Sequence, residues 1–252
     1  MKNKHPIIPL LAFCVLGANI GIAAEPVFSL VASAGDPPIL EEKGTWGGVV
    51  EWVLEEGPSP GFVESPGGGY LQFADDSRAA ITLKDSAALL EGMPEEFTVA
   101  AWINPKAGYP SMEVISSGAD SGPDGGFRIR VINDQIVVRA GGESAPSYAE
   151  SPVGSVPRGS WTHVAAVVDR NNVTLYLNGR QVDAAPWAAA PVPPRLLHPV
   201  ETYARGGFGL TIGNYGGRKD AYPFIGDLAG VRIYEGAFGL SAVEQLADQR
   251  PE

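Results

Sequence analysis

The sequence predicts an all-β fold built from many short antiparallel strands, with one short helix at its C-terminal end. Three observations carry that reading. Apolar residues recur at a period of two in stretch after stretch, which places alternate side chains on opposite faces of an extended chain. Turn-forming residues separate those stretches, and the 252 residues include 32 glycines and 22 prolines, a composition suited to tight turns rather than to helix interiors. Helical spacing with a cap signal is confined to the stretch from Leu240 to Gln249. At this length a β-sandwich is commonly one domain.

Residues 1–24, MKNKHPIIPLLAFCVLGANIGIAA, carry Lys2 and Lys4, an apolar core from Ile7 to Ile22 broken by Pro9 and Asn19, and the small residues Ala23 and Ala24. This pattern predicts a secretory signal peptide. Its apolar run is shorter than the roughly 20 residues a spanning helix needs, so no membrane insertion is expected after its removal. Cys14 is the single cysteine and follows Phe13, where a lipoprotein signal wants a small residue. The secreted chain is therefore expected to lack disulfides, a cysteine nucleophile and thiolate metal sites. It keeps 16 basic against 29 acidic residues, a formal charge of −13. Such a balance disfavours nucleic acid and anionic membrane surfaces and reads as a solubility property.

Residues 25–65 are acidic and broken by proline and glycine, with a strand at Val49 to Leu54. In FTVAAWINP, Phe97, Val99, Ala101 and Ile103 share one face, while Thr98, Ala100, Trp102 and Asn104 share the other; Pro105 ends the run. GFRIRVIND sets Phe127, Ile129 and Val131 against Arg128, Arg130 and Ile132. The stretch from Gly159 to Asp183 reads as a three-strand meander. Its first turn is Asp169 to Asn172, and its second is Asn178-Gly179, residues that accept positive φ at low cost. Residues 184–206 hold five prolines and are expected to form a long loop, because proline cannot donate to a sheet ladder. In LSAVEQLADQ, Ser241 stands as the N-cap with Glu244 at capping-box spacing.

Four of these stretches, EEFTVAAWINP, GSWTHVAAVVDRNNVTLYLNGRQV, LTIGNYGG and YPFIGDLAGVRIYEGAFGLSAVEQL, together resemble LamG-like jelly-roll domains. These belong to the concanavalin A-like group that includes laminin G modules, pentraxins and legume lectins. The resemblance covers about residues 66–248 and implies a sandwich of two curved antiparallel sheets, with ligands taken on the concave face or the rim loops. Together with the signal pattern, this divides the chain into an expected signal peptide at 1–24, an acidic segment at 25–65 that is expected to contribute a strand to the sandwich, and the jelly-roll domain at 66–252. The proline-rich stretch at 184–206 is longer than the corresponding crossing in relatives, and is expected to shape the binding surface.

Reactive constellations are sparse. Glucanases on this fold carry carboxylates two residues apart on a strand, so that both project from one face and share acid and base work. Here Glu55-Glu56 and Glu95-Glu96 are adjacent. His163, beside Trp161, sits where the resemblance implies a structural histidine, and no Ser–His–Asp or metal-hydrolase spacing accompanies it. No catalytic residue is assigned. The binding candidates are Trp102, Asn104, Tyr176, Arg232 and Tyr234, which fall opposite the apolar face of their strands. Aromatic rings there suit the apolar C–H faces of sugars, with Arg232 and Asn104 as hydrogen-bonding groups. Calcium needs six to eight oxygens, and Asp75, Asp76 and Asp227 are its candidate ligands, with Asp120 and Asp124 on a further loop. The acidic pair that relatives place before the VRIY strand is replaced by Ala229 and Gly230. The expectation is a secreted, non-catalytic module whose partner is a glycan or an extracellular protein. The alternatives are a carbohydrate-active enzyme on the same fold and a structural domain of a surface assembly.

Overall fold

The computed structural model describes residues 24–54, 57–84, 96–106, 110–117, 126–141, 147–186, 210–215 and 222–251. Nearly all of the expected signal peptide, the proline-rich stretch from residue 187 onward, and Asp120 and Asp124 lie outside these ranges.

The first strands are β1 (Phe28–Ser33), β2 (Ile39–Glu42), β3 (Val49–Val53), β4 (Gly61–Val63), β5 (Tyr70–Phe73) and β6 (Ala80–Lys84). They are followed by β7 (Phe97–Pro105), β8 (Ser111–Ser117), β9 (Gly126–Ile132), β10 (Gln135–Gly141) and β11 (Ser147–Glu150). The chain continues through β12 (Thr162–Val168), β13 (Asn172–Leu177), β14 (Arg180–Pro186), β15 (Leu210–Ile212) and β16 (Gly226–Glu235), and ends in helix α1 (Leu240–Ala247). Among the described residues they form two antiparallel sheets. One has nine strands, in the order β14-β13-β12-β7-β16-β1-β2, with β5 also on β16 and β4 on β5; the other has seven, in the order β11-β10-β9-β8-β15-β6-β3. This is the two-sheet sandwich that the sequence predicts. The acidic N-terminal segment supplies β1 to β4, with strands in both sheets.

Period-two alternation builds the interior. Phe97, Val99 and Ile103 of β7 and Phe127 and Ile129 of β9 are fully buried between the sheets, and the Phe97 and Phe127 rings meet edge to face at 5.4 Å. The meander β12-β13-β14 forms as expected. In its second turn Asn178 has φ 49° and Gly179 φ 78°. Its first turn is tied by the Asp169 carboxylate, which accepts from the N–H groups of Asn171 at 2.6 Å and Asn172 at 2.7 Å.

Helix α1 packs on the outer face of the nine-stranded sheet. Val243 and Leu246 cover Ala100, Ala165, Val167, Tyr176 and Tyr234 there. The expected start at Ser241 is corrected. Gly239 is the N-cap, with extended backbone and no side-chain cap, and its carbonyl accepts from Ala242 and Val243 at 3.0 and 3.2 Å. Ser241 already lies inside the first turn, where its hydroxyl cannot act as a cap.

Candidate functional site

The long strand β16 positions the site. Its first residues pair with β5, Asp227 opposite Gln72 and Leu228 opposite Leu71, whereas its later residues pair with β1, Ile233 opposite Phe28 and Arg232 opposite Ser29. Between them the register against β7 shifts from Ala229 to Arg232, and Gly230 takes φ 56°, a left-handed conformation that suits glycine at a bulge. Where β5 and β1 part company, a groove of about 190 Å³ opens on the outer face of the sheet.

Several elements line it: Trp102 on β7, His163 on β12, Phe62 on β4, Tyr70 on β5 with the Gly67–Gly69 turn before it, Arg232 on β16, and Leu246 of α1 with Gln249 and Pro251 after it. Tyr70 is braced by Trp161, whose ring lies 5.3 Å away at 75°. Trp102 and His163 stand opposite each other across the β7-β12 ladder, ring centroids 5.2 Å apart, and are only 7% and 2% exposed. Neither Trp102 Nε1 nor His163 Nδ1 has a hydrogen-bond partner. Burial, together with the nearby charge of Arg232, pushes the His163 imidazole down to about 4, so it is neutral at pH 7. The Arg232 guanidinium donates to Gln249 Oε1. Among the described residues, the lining includes neither aspartate nor glutamate.

The sequence candidates separate into three groups. Trp102 and Arg232 both line the groove. Tyr176 and Tyr234 share their face of the sheet, but they are 7% and 3% exposed beneath α1, so these two rings serve the helix dock instead of an open surface. Asn104 turns to Asp227, donating from Nδ2 at 2.9 Å. Asp227 also accepts from Gln72 Nε2 at 3.1 Å and Lys106 Nζ at 2.8 Å, so its oxygens are committed to protein donors. Asp75 and Asp76 are exposed on the turn between β5 and β6. No group of three or more potential metal-ligating side chains occurs among the described residues.

Phe62, Tyr70 and Gln249 belong to the site without having been singled out in the sequence. Their signal was faint: a Pro-Gly-Gly-Gly run directly before Tyr70. His163 reads there as structural, yet it lines the groove.

A second polar cluster occupies the outer face of the seven-stranded sheet. Glu113 pairs with Arg130 across the β8-β9 ladder. The Arg128 guanidinium lies 4.4 Å from the centre of the Tyr215 ring, and that of Arg130 lies 4.3 Å from Tyr222. Glu113 and Arg128 are 0% and 1% exposed. Burial pushes the Glu113 carboxyl above its ordinary range against the pull of Arg130 and Arg128, and pushes the Arg128 guanidinium down against the pull of Glu113. Glu113 and Arg128 are thus closed to solvent, while Arg130 and Tyr222 are partly exposed.

Comparison with known proteins agrees with this architecture. Domain 4 of AbnA, an extracellular arabinanase of Geobacillus stearothermophilus solved with arabinotriose, superposes with a TM-score of 0.57 at 18% identity, over 87% of this chain and 99% of that one. The binding domain of botulinum neurotoxin DC in complex with SialylT gives a TM-score of 0.62 at 12% identity, over 89% of this chain and 51% of that one. The binding domain of Paraclostridial Mosquitocidal Protein 1 gives 0.60 at 16%, over 88% and 52%. The chain thus spans about half the length of the toxin binding domains it matches, and at these identities the likeness is one of fold. No curated protein matches the chain. Residues 75–244 match the laminin G family model of the concanavalin A-like lectin/glucanase superfamily, and with two antiparallel sheets and one short terminal helix in place, the chain belongs to that superfamily.

Proposed function

We propose that the protein is a secreted, non-catalytic binding module that takes extracellular carbohydrate in the groove between β1, β5 and β16. The observation that carries this reading is the lining itself. Half-buried Phe62 and Tyr70 stand beside a Trp102 floor, with Arg232, Gln249 and Ser29 as polar groups. Aromatic faces pack against the C–H faces of a sugar ring, while a few placed polar groups set its orientation. Glycoside hydrolysis uses a pair of carboxylates flanking the bond, and the groove's described lining contains none. Structures of the same fold were solved with arabinotriose and with SialylT, and another with rat synaptotagmin II, so the choice of a sugar over an extracellular protein rests on the groove's lining.

A glycan array run with calcium and again with a chelator tests the reading. Binding to a defined sugar class, weakened by Tyr70→Ala in a protein that melts like the parent, is the expected result. Tyr70→Ala is preferred to Trp102→Ala, because truncating the buried Trp102 costs about 3–5 kcal/mol of stability on its own. Binding that ignores Tyr70 and Phe62 altogether refutes the groove as the site. Cleavage of any polysaccharide in a hydrolysis panel refutes the non-catalytic assignment.

A further inference from the structure

We infer that the groove is selective for acidic sugars, with Arg232 as the group that binds the ligand's carboxylate. This inference rests on the carbohydrate reading of the same groove and narrows its ligand class.

Charge is the first ground. The chain has 29 acidic against 18 basic residues, yet the described lining of this groove has no carboxylate. Arg232 is its one permanently charged residue, since His163 is neutral above about pH 4. The contact of Arg232 is the neutral amide of Gln249 through one Nη atom. Across the ladders its neighbours are Ser29 and Ala100, and among the described residues no carboxylate pairs with the guanidinium. Its planar fork has five N–H donors and matches a carboxylate bidentately.

A second ground is independent of charge. Trp102 Nε1 is buried without an acceptor, and the indole N–H can only donate. A buried donor left unpaired costs about 1–3 kcal/mol, which a ligand oxygen in the same groove would recover. Arg232 and Trp102 therefore both demand acceptors. A carboxylate is acceptor-only, whereas a neutral sugar brings hydroxyls that need acceptors as well. The shared chemistry is a planar carboxylate on a saturated ring, found in both uronates and sialates.

Calorimetric titration of the protein at pH 7 tests this with two matched pairs: trigalacturonate against its methyl ester, and sialyllactose against lactose. The expected result is that the charged member of at least one pair binds tenfold or more tightly than its neutral counterpart. Arg232→Gln should remove that preference, and Arg232→Lys should retain part of it. Preference within the first pair identifies uronates, and within the second sialates. Equal affinity within both pairs overturns the inference, as does a preference that survives Arg232→Gln or a failure of all four sugars to bind. Should Arg232→Gln not fold, a full preference in Arg232→Lys overturns the bidentate role. Neutral sugars that bind equally well and depend on Tyr70 would leave the carbohydrate reading standing while the acidic one falls. A glycan array silent in both conditions removes the carbohydrate reading itself.

Discussion

Acidification should destabilise the protein through one histidine. His163 is 2% exposed and its Nδ1 has no hydrogen-bond partner. Trp102 on β7 faces it, Arg232 on β16 repels its proton, and the Asn178 side chain after β13 engages only its backbone N–H, at 2.9 Å. The imidazole therefore titrates at about 4 in the folded chain instead of 6.5. Between those values the unfolded chain binds a proton that the folded chain refuses, so stability falls as pH falls through the window and rises again as pH returns to neutrality. At about 1.4 kcal/mol per pH unit, the fully developed penalty below pH 4 is about 3 kcal/mol, and roughly 2 kcal/mol of it appears between pH 7 and 4.5. Carboxylates titrate in the same range, so the measurement is a difference. Urea unfolding of the parent and of His163→Phe, followed by tryptophan fluorescence, should show the gap between them moving by about 2 kcal/mol in favour of the variant from pH 7 to 4.5. Parallel stability curves for the two proteins would refute the account of a dry, neutral imidazole.

Three further outcomes follow from the packing. Phe97→Ala removes a fully buried ring that meets Phe127 at 5.4 Å, and should cost about 3–5 kcal/mol in urea unfolding, with the m value unchanged. Asp227→Ala leaves Asn104 Nδ2 and Gln72 Nε2 without an acceptor they now hold at 2.9 and 3.1 Å. It should destabilise by about 2–4 kcal/mol, with most of the loss from the buried amide of Asn104 and little from half-exposed Lys106. Because Asp227 is committed to these donors, it should hold no calcium, and any rise in melting temperature in calcium over chelator should survive Asp227→Asn. A rise in calcium that Asp75→Asn abolishes would place an ion on the turn before β6.

What could be read along the chain was what depends on near neighbours. Alternation in Phe97–Pro105 assigns inner and outer faces because successive side chains of a strand point oppositely, and Phe97, Val99, Ala101 and Ile103 do lie in the interior. The Asn178-Gly179 turn was legible because few residues accept positive φ. Even the helix was visible as a period, although its cap was not, since glycine at 239 leaves no side-chain signature.

The site depends on partners far apart in sequence. Alternation put Trp102, Tyr176, Arg232 and Tyr234 on one face, but it carried no information that α1 would cover Tyr176 and Tyr234 and leave Trp102 and Arg232 beside a groove. Nor does the local pattern of β16 reveal that β5 takes its first half and β1 its second. Strand periodicity and turn chemistry are energies of adjacent residues, so the sequence by itself determined the strands and their faces, and its motifs carried the resemblance to the superfamily. The groove is space left where non-local strand pairings diverge, and only the tertiary structure, by choosing those pairings, decided which outward residues stay open to a ligand.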